Sequence, residues 1–192
     1  MSVQVGVMSI DEFVRLYDQE GPFELIDGER VNVEPPMADH LATIIILFRL
    51  IDTHCLVHKF GRVFTETPYA LSPDSKRVEG SRLPDLSFYT AQRWEAYTAE
   101  MADWHTKPVL LVPDLVIEIV SLGDLYTEIQ PKINRYRKDG VRLVWVIELQ
   151  RKTIGVYSGD QYTSYDKDAE LKGGDVIPGF SVPVSLIFIS PD

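Results

Sequence analysis

The apolar segment at residues 114–120 constrains the fold more than any other feature of the sequence. Every residue from 115 to 120 is aliphatic except Glu118. A near-continuous apolar run of this length is typical of a strand that is buried on both faces, and such a strand needs a covering layer on each side. Residues 141–149 repeat the pattern. Two such strands predict an interior sheet that is covered by helices.

Apolar residues at helical spacing predict the covering elements. They favour a short helix over residues 9–18 and a long core helix over residues 39–59, with Asp39 as the N-cap of the second helix. A further helix is predicted over residues 91–103, and another is expected to end near Asp139. Helices therefore recur between the predicted strands along the whole chain.

The remaining strand-like segments complete a mixed sheet. Asp27-Gly28 suits a type I′ turn between two short apolar runs and predicts a hairpin. No repeat or flexible linker divides the chain, so residues 1–192 are expected to form a single domain. The predicted class is α/β (α+β), a mixed β-sheet flanked by helices. The shorter predicted strands are residues 23–26, 30–33, 62–65, 69–71, 83–89, 153–157 and 161–165.

Charge and cysteine content narrow the class of protein. Cys55 is the single cysteine, so no intramolecular disulfide can form. The net charge of −10 argues against a broad basic face that coats nucleic acid, although residues 124–152 carry an excess of basic side chains. The first residues lack the basic pattern of a targeting peptide, and the longest apolar run, residues 44–48, is shorter than a membrane span. We expect a cytoplasmic protein with no membrane contact.

Glu118 is the residue that fits an ordinary core least well. An ionised carboxylate inside an apolar strand is costly unless a metal ion, a cation or several hydrogen bonds compensate it. One interpretation is a buried structural ion pair or a residue at a strand edge. The other is a metal ligand or an acid–base group, because those functions justify a carboxylate in a dry place.

Three further polar residues are candidates for the same site. Asp85 follows a proline at the start of a strand-like segment, where such a dipeptide also commonly initiates a turn. Lys132 shares one helical face with Glu128 and Tyr136, a pattern that a surface row of salt bridges also produces. Glu24 alternates with apolar residues at the start of the predicted hairpin and is the weakest candidate.

Other polar residues favour structural roles. Asp114 is interpreted as a residue at the entry to its strand or in a turn. His40 at a helix N-terminus could reach a neighbouring pocket, but a core or capping role is favoured. His54 and His58 have the spacing of two zinc ligands on a helix but lack the intervening glutamate of that motif. A glycine-rich phosphate loop and a serine-hydrolase elbow are both absent from the sequence.

The order of these residues resembles the PD-(D/E)XK nuclease superfamily. A Pro-Asp strand is followed by a hydrophobic strand with Glu118 and then by a helix with a lysine. More narrowly, the chain resembles the Uma-two family of restriction-endonuclease-like proteins over most of its length, from about residue 9 to residue 189. The matching stretches are residues 23–29, 82–88, 113–121, 140–147 and 174–180, together with His40, Lys132 and Tyr136.

The resemblance implies a restriction-endonuclease-like core in which Asp85 and Glu118 bind Mg²⁺ (or Mn²⁺). Glu24 would lie at the rim of this site as a supporting carboxylate. The superfamily lysine usually stands two residues after the acidic residue, where this chain has Val120. Lys132 on the following helix is then the family-like replacement, acting on the nucleophile or on the phosphate.

The implied activity is metal-dependent hydrolysis of phosphodiester bonds in nucleic acid, with DNA as the favoured substrate. Nucleases that cut two strands commonly act as dimers, so a homodimer is compatible with this interpretation. One alternative is a non-catalytic binding or regulatory protein on the same fold with a decayed site. Another is a carboxylate-based hydrolase of a small phosphorylated molecule, because a fold does not fix a function.

Overall fold

The computed structural model describes residues 6–120 and 126–188, with the backbone alone for residues 126–128. Four α-helices are found within this part of the chain: α1 (Ile10–Glu20), α2 (Ala38–His58), α3 (Ala91–Glu100) and α4 (Tyr126–Asp139). The strands are β1 (Met8–Ser9), β2 (Phe23–Ile26), β3 (Glu29–Asn32), β4 (Gly61–Thr65), β5 (Tyr69–Leu71), β6 (Arg77–Val78), β7 (Gly80–Arg82), β8 (Leu86–Thr90), β9 (Leu115–Val120), β10 (Leu143–Glu148), β11 (Thr153–Ser158), β12 (Gln161–Tyr165), β13 (Glu170–Lys172) and β14 (Ser181–Pro183).

The larger sheet has six strands in the order β12-β11-β10-β9-β8-β4. The central pair, β9 and β10, is parallel, and the other neighbours are antiparallel. These two strands are the apolar segments that the sequence predicts to be interior. The mixed sheet with flanking helices confirms the predicted fold class.

Alternation along β9 divides the core between the two faces of this sheet. Leu115, Ile117 and Ile119 join the cluster that includes Leu47 and Ile51 of α2. Val116 joins the cluster on the opposite face, which includes residues of α3 and α4. Successive side chains of a strand point to opposite faces, so Glu118 is directed to the α4 side with Val116.

A second sheet has four strands in the order β3-β2-β7-β5. Its β2–β3 hairpin turns at Asp27 and Gly28, whose φ angles of 51° and 79° fit the predicted type I′ turn. Arg82 at the end of β7 lies 3.1 Å from the carboxylate of Asp139, the last residue of α4. This ion pair connects the second sheet to the helix that covers the first.

Helix α2 matches the predicted core helix but begins differently. Met37 occupies the N-cap position and Asp39 lies in the first turn, so the prediction of Asp39 as the N-cap is wrong by two residues. A carboxylate in the first turn still interacts favourably with the helix dipole, which explains why the residue gave a helix-start signal. Ser9, in contrast, caps α1 through its hydroxyl, which accepts a hydrogen bond from the Glu12 amide at 3.1 Å.

Length and composition alone would allow α2 to cross a membrane, and it is the one helix of the described residues for which this holds. Leu47, Ile51 and Cys55 of α2 are buried in the core against the larger sheet. A helix that supplies one face to a core is a structural element of that core. We therefore interpret α2 as the core helix that the apolar spacing predicts.

Candidate active site

Glu118 lies in the middle of β9 with its side chain on the face that α4 covers. The residue is 5% exposed. It pairs with Val146 of the parallel neighbour β10, so apolar strand surrounds it on that side. The position therefore has the desolvation cost that the sequence predicts, and polar partners have to offset it.

Asp85 is brought opposite Glu118 by the register of β8. Leu86 pairs with Ile117 in the antiparallel ladder, and Asp85 is the residue directly before this pair. One step further along the register leads from Ile117 to Glu118. The Ile119 amide donates to one oxygen of Asp85 at 2.6 Å, which anchors the carboxylate on the edge of β9. The strand that is predicted over residues 83–89 begins only at Leu86, because the side chain of Asp85 accepts a hydrogen bond from the neighbouring strand.

Helix α4 supplies two donors to the Glu118 carboxylate. The Lys132 ammonium donates to Oε2 at 2.7 Å, and the Tyr136 hydroxyl donates to Oε1. Lys132 and Tyr136 are four residues apart and therefore share one helical face. Tyr136 is fully buried, so the alternative of a surface salt-bridge row is wrong for these two residues. The side chain of Glu128, the third member of that row, lies outside the described residues.

Electrostatics separates the protonation properties of these groups. Burial, opposed by Lys132 and supported by the nearby Asp85 charge, raises the pKa of Glu118 to about 7. Burial acts to lower the pKa of Lys132, but Glu118 and Glu24 raise it above its usual value, so the ammonium stays charged. Burial and Glu118 together raise the pKa of Tyr136 well above its usual value. The positive charge of Lys132 therefore offsets the repulsion between the carboxylates of Glu118 and Asp85.

Two further residues complete the polar surroundings. His40, in the first turn of α2, has Nε2 at 2.8 Å from Oδ1 of Asp85. Glu24 of β2 is buried, and its Oε1 accepts a hydrogen bond from the Leu83 amide at 2.9 Å. Glu24 thus holds the backbone that leads into Asp85 and acts on Lys132 through its charge.

These groups open into a cleft of about 390 Å³. Asp85, Glu118, Lys132 and His40 all line it, and so do residues 33–37, which include two consecutive prolines. Glu24 is not among the lining residues. A ligand can enter this cleft and reach both carboxylates. A sealed core would not admit a ligand, and a flat surface would not enclose one.

The oxygen donors in this cleft suit a hard divalent cation. Within residues 6–120 and 126–188, no three His, Cys, Asp or Glu side chains form a group that could hold a metal ion by themselves. Mg²⁺ is compatible with a smaller set, because it binds through one or two carboxylates and keeps several waters or substrate oxygens. The repulsion between Asp85 and Glu118 is also what a bound cation relieves. The donor chemistry therefore fits Mg²⁺ or Mn²⁺ with two protein ligands.

The sequence predicts four residues of this arrangement, and the structure adds two contributions that the local patterns do not favour. His40, for which a core or capping role is favoured over a pocket, lies against Asp85 in the cleft. Tyr136 was named only as part of a helical row, yet it is a hydrogen-bond donor to Glu118. A signal for Tyr136 was available, because a hydroxyl on the apolar face of a helix needs a buried acceptor. Asp114, by contrast, accepts hydrogen bonds from Thr90 at the entry to β9 and has the predicted structural role.

The fold of the chain matches that of a solved protein structure. The crystal structure of a "putative nuclease belonging to DUF820" from Anabaena variabilis ATCC 29413 superposes on it with a TM-score of 0.75. The two sequences are 22% identical, and the superposition covers 94% of this chain and 97% of that chain. At this identity the match establishes the shared fold.

The chain belongs to the Uma2 family, the Uma-two family whose pattern the sequence resembles. The model of this family, described as "Putative restriction endonuclease", matches residues 10–185. The resemblance is thereby confirmed over nearly the whole chain. No curated protein matches the sequence.

Proposed function

We propose that the protein is a metal-dependent endonuclease that hydrolyses phosphodiester bonds of nucleic acid, with DNA as the favoured substrate. The observation that carries this proposal is the position of Glu118. Its buried carboxylate faces a cleft, stands opposite Asp85 in the β8–β9 register and meets a charged lysine at 2.7 Å. Family membership and the nuclease fold support the same class of chemistry.

In this proposal Asp85 and Glu118 hold Mg²⁺ (or Mn²⁺) at the base of the cleft. A divalent ion bound there would lower the pKa of a water molecule and offset the negative charge that develops on the phosphate oxygens. Asp85 is prepared for this role because the Ile119 amide and His40 fix the orientation of its carboxylate. Groups that are held in place before the reaction need little reorganisation during it.

Lys132 has the second role. Its ammonium reaches Glu118 from α4 and lines the cleft, so it can donate to a phosphate oxygen or orient the attacking water. Position 120, where the superfamily has its lysine, is valine in this chain. Lys132 supplies the positive charge from the neighbouring helix instead. Glu24 raises the pKa of Lys132 and so favours its charged form, and it accepts a hydrogen bond from the backbone before Asp85.

Metal binding is tested by titration calorimetry with Mn²⁺ alone. The wild-type protein should bind Mn²⁺, and Asp85→Asn and Glu118→Gln should each lose binding while their circular dichroism spectra stay unchanged. Asp160→Asn is the matched control, because this carboxylate is exposed and its one ion pair among the described residues is with Arg137. Equal Mn²⁺ binding by the wild type and both site variants would overturn the metal assignment.

Cleavage is tested on plasmid DNA, single-stranded DNA and RNA with Mg²⁺ or Mn²⁺. The wild type should cleave at least one of these nucleic acids, and removal of the metal with a chelator should stop the reaction. Activity on a model phosphodiester without any cleavage of nucleic acid would favour a hydrolase of a small phosphorylated molecule.

A non-catalytic binding or regulatory protein on the same fold is the second candidate. Val120 favours it, because the usual lysine position is lost, and so does the net charge of −10. For this function nucleic acid or a protein partner would bind without cleavage, and Lys132 would serve only as the counter-ion of Glu118. Mn²⁺ binding that is lost in Asp85→Asn, together with metal-dependent cleavage, excludes this alternative.

The remaining expectations belong to the same proposal. We infer that residues 1–192 act as a single catalytic domain in the cytoplasm, without membrane contact. A homodimer would place two clefts on one assembly, an arrangement that is common among nucleases that cut both strands of a duplex.

A further inference from the structure

Helix α2 exposes an apolar face that the core does not use. Leu41 is 39% exposed, Ile45 49% and Leu56 65%, and the exposed Met37 precedes them at the N-cap. In the most apolar stretch of this helix, 28% of the residues are buried. With 3.6 residues per turn, Leu41, Ile45 and Leu56 fall on one outward strip, opposite the side that contacts the sheet. Several large apolar side chains exposed along one strip mark an interaction surface.

Two opposite charges lie in the middle of this strip. Arg49 is exposed and Asp52 is half-buried, and both fall between Ile45 and Leu56. Neither side chain forms an ion pair within residues 6–120 and 126–188. The outer face thus has the sequence apolar, basic, acidic, apolar along the helix.

We propose that this face joins two copies of the chain, with α2 of one protomer antiparallel to α2 of its partner. A two-fold axis at the level of Leu50 and Ile51 places residues at equal distances from it opposite each other. Arg49 then faces Asp52 of the partner subunit, and Ile45 faces Leu56 of the partner subunit. Both contacts occur twice, as a two-fold interface requires.

The charge pattern selects a second copy over other occupants. A net charge of −10 disfavours an anionic membrane or a nucleic-acid backbone on an apolar strip with one basic residue. A strip whose charges reverse about its own midpoint is complementary to itself. Burial of the aliphatic side chains removes them from water, and the two ion pairs set the register. This inference rests on the proposed function for the expectation of a homodimer and names the surface that joins the two copies, and its test needs neither metal nor substrate.

The oligomeric state of the full chain tests the proposal by sedimentation velocity without metal or nucleic acid. The wild type should be a dimer at micromolar concentration. Arg49→Asp and Asp52→Arg should each raise the dissociation constant at least about tenfold, because like charges then face each other twice. Lys172→Asp, an exposed charge reversal on β13, is the control that should leave the dimer unchanged.

Mixing the two charge variants is the decisive measurement. A protomer with Arg49→Asp and a protomer with Asp52→Arg restore opposite charges at both contacts, so the mixture should form a heterodimer although each variant alone is a monomer. Ile45→Glu should also give a monomer, which provides an independent variant if either charge reversal fails to fold. A monomeric wild type, a mixture that stays monomeric, or a dimer that survives Ile45→Glu would overturn the proposal. Binding of the wild type to neutral lipid vesicles as a monomer would overturn it as well.

Discussion

Helix α4 takes part in two buried clusters that contain the same three kinds of group. At one, Glu118 meets Lys132 and Tyr136. At the other, Asp139 meets Arg82 and accepts a hydrogen bond from the hydroxyl of Tyr69 at 2.8 Å. Each cluster contains a carboxylate, a cation and a tyrosine. Their surroundings are nevertheless different.

The Asp139 cluster is closed. Arg82 is 7% exposed and contacts both oxygens of Asp139, at 3.1 and 3.3 Å. Its remaining terminal nitrogen donates to the carbonyl oxygens of Leu25 and Ser81. A buried guanidinium that contacts both oxygens of one carboxylate and two backbone carbonyl oxygens is fixed in its geometry.

The Glu118 cluster is open on one side. The Lys132 side chain is 26% exposed, and a second carboxylate, Asp85, lies beside it in the cleft. A lysine has three donors on a flexible stem and can change partners, whereas the arginine fork cannot without losing several hydrogen bonds. The kind of cation and its access to solvent therefore distinguish the proposed site from the closed cluster, although the residue types are otherwise alike.

The largest difference is expected in catalysis. Glu118→Gln should lower metal-dependent cleavage at least about a thousandfold, which corresponds to at least about 4 kcal/mol of lost transition-state stabilisation. The free energy of unfolding should change by less, because glutamine removes a buried charge and Lys132 can reach solvent. Cleavage assays and urea denaturation of the same preparation measure both quantities. A decrease in the free energy of unfolding as large as the loss of transition-state stabilisation would contradict the distinction between the open and the closed cluster.

The second expected effect concerns stability at the closed cluster. Asp139→Asn should lower the free energy of unfolding by about 3 kcal/mol, because it leaves the buried Arg82 guanidinium without its counter-ion. Mn²⁺ affinity of the folded variant should stay within a factor of about two, since Asp139 does not line the cleft. Urea denaturation and calorimetry test the two parts. A strong loss of Mn²⁺ affinity in the folded variant would show that the clusters are coupled through α4.

Exchange of the cations sharpens the comparison. Arg82→Lys should lower the free energy of unfolding by about 2 kcal/mol, because the lysine cannot reproduce the fork and leaves acceptors at Leu25, Ser81 or Asp139 unpaired. Lys132→Arg keeps the charge beside Glu118 and should leave stability within about 1 kcal/mol. Thermal denaturation of both variants provides the measurement. Equal destabilisation by the two exchanges would mean that the clusters are equally rigid.

The smallest effect is expected at the tyrosines. Tyr136→Phe and Tyr69→Phe each remove one hydroxyl donor to a carboxylate and should each cost about 1 kcal/mol of stability. The two variants should differ in Mn²⁺ binding, because only Tyr136 donates to a proposed ligand. Calorimetry on the pair compares them directly. Identical Mn²⁺ affinities of the two variants would contradict a contribution of Tyr136 to the proposed metal site.

The elements of the sheet were the most predictable part of the fold. The segment that contains Glu118 and the segment at residues 141–149 became the central parallel pair, because apolar runs of that length have few alternatives to an interior strand. Boundaries were less predictable. Asp39 looked like an N-cap and lies in the first turn, because the backbone before α2 sets where the helix begins.

The sequence predicts which residues belong to the candidate site, but it does not predict which of them contact each other. Glu118 stood out because a carboxylate in an apolar strand is costly, and alternation already placed it on one face. Nothing in the local pattern connected it to Tyr136, eighteen residues away, or connected Asp85 to His40. Those contacts depend on how α4 and α2 lie against the sheet.

The sequence by itself determined that the chain would build a helix-covered mixed sheet and that a carboxylate would be buried in one of its central strands. Periodicity and desolvation cost are local properties, so both can be read from neighbouring residues. Only the tertiary structure decided that Asp85 stands opposite Glu118, that Lys132 faces a cleft and that Arg82 closes the other cluster. Strand register and helix docking set these contacts, since they join residues that are far apart in the chain and that no short segment specifies.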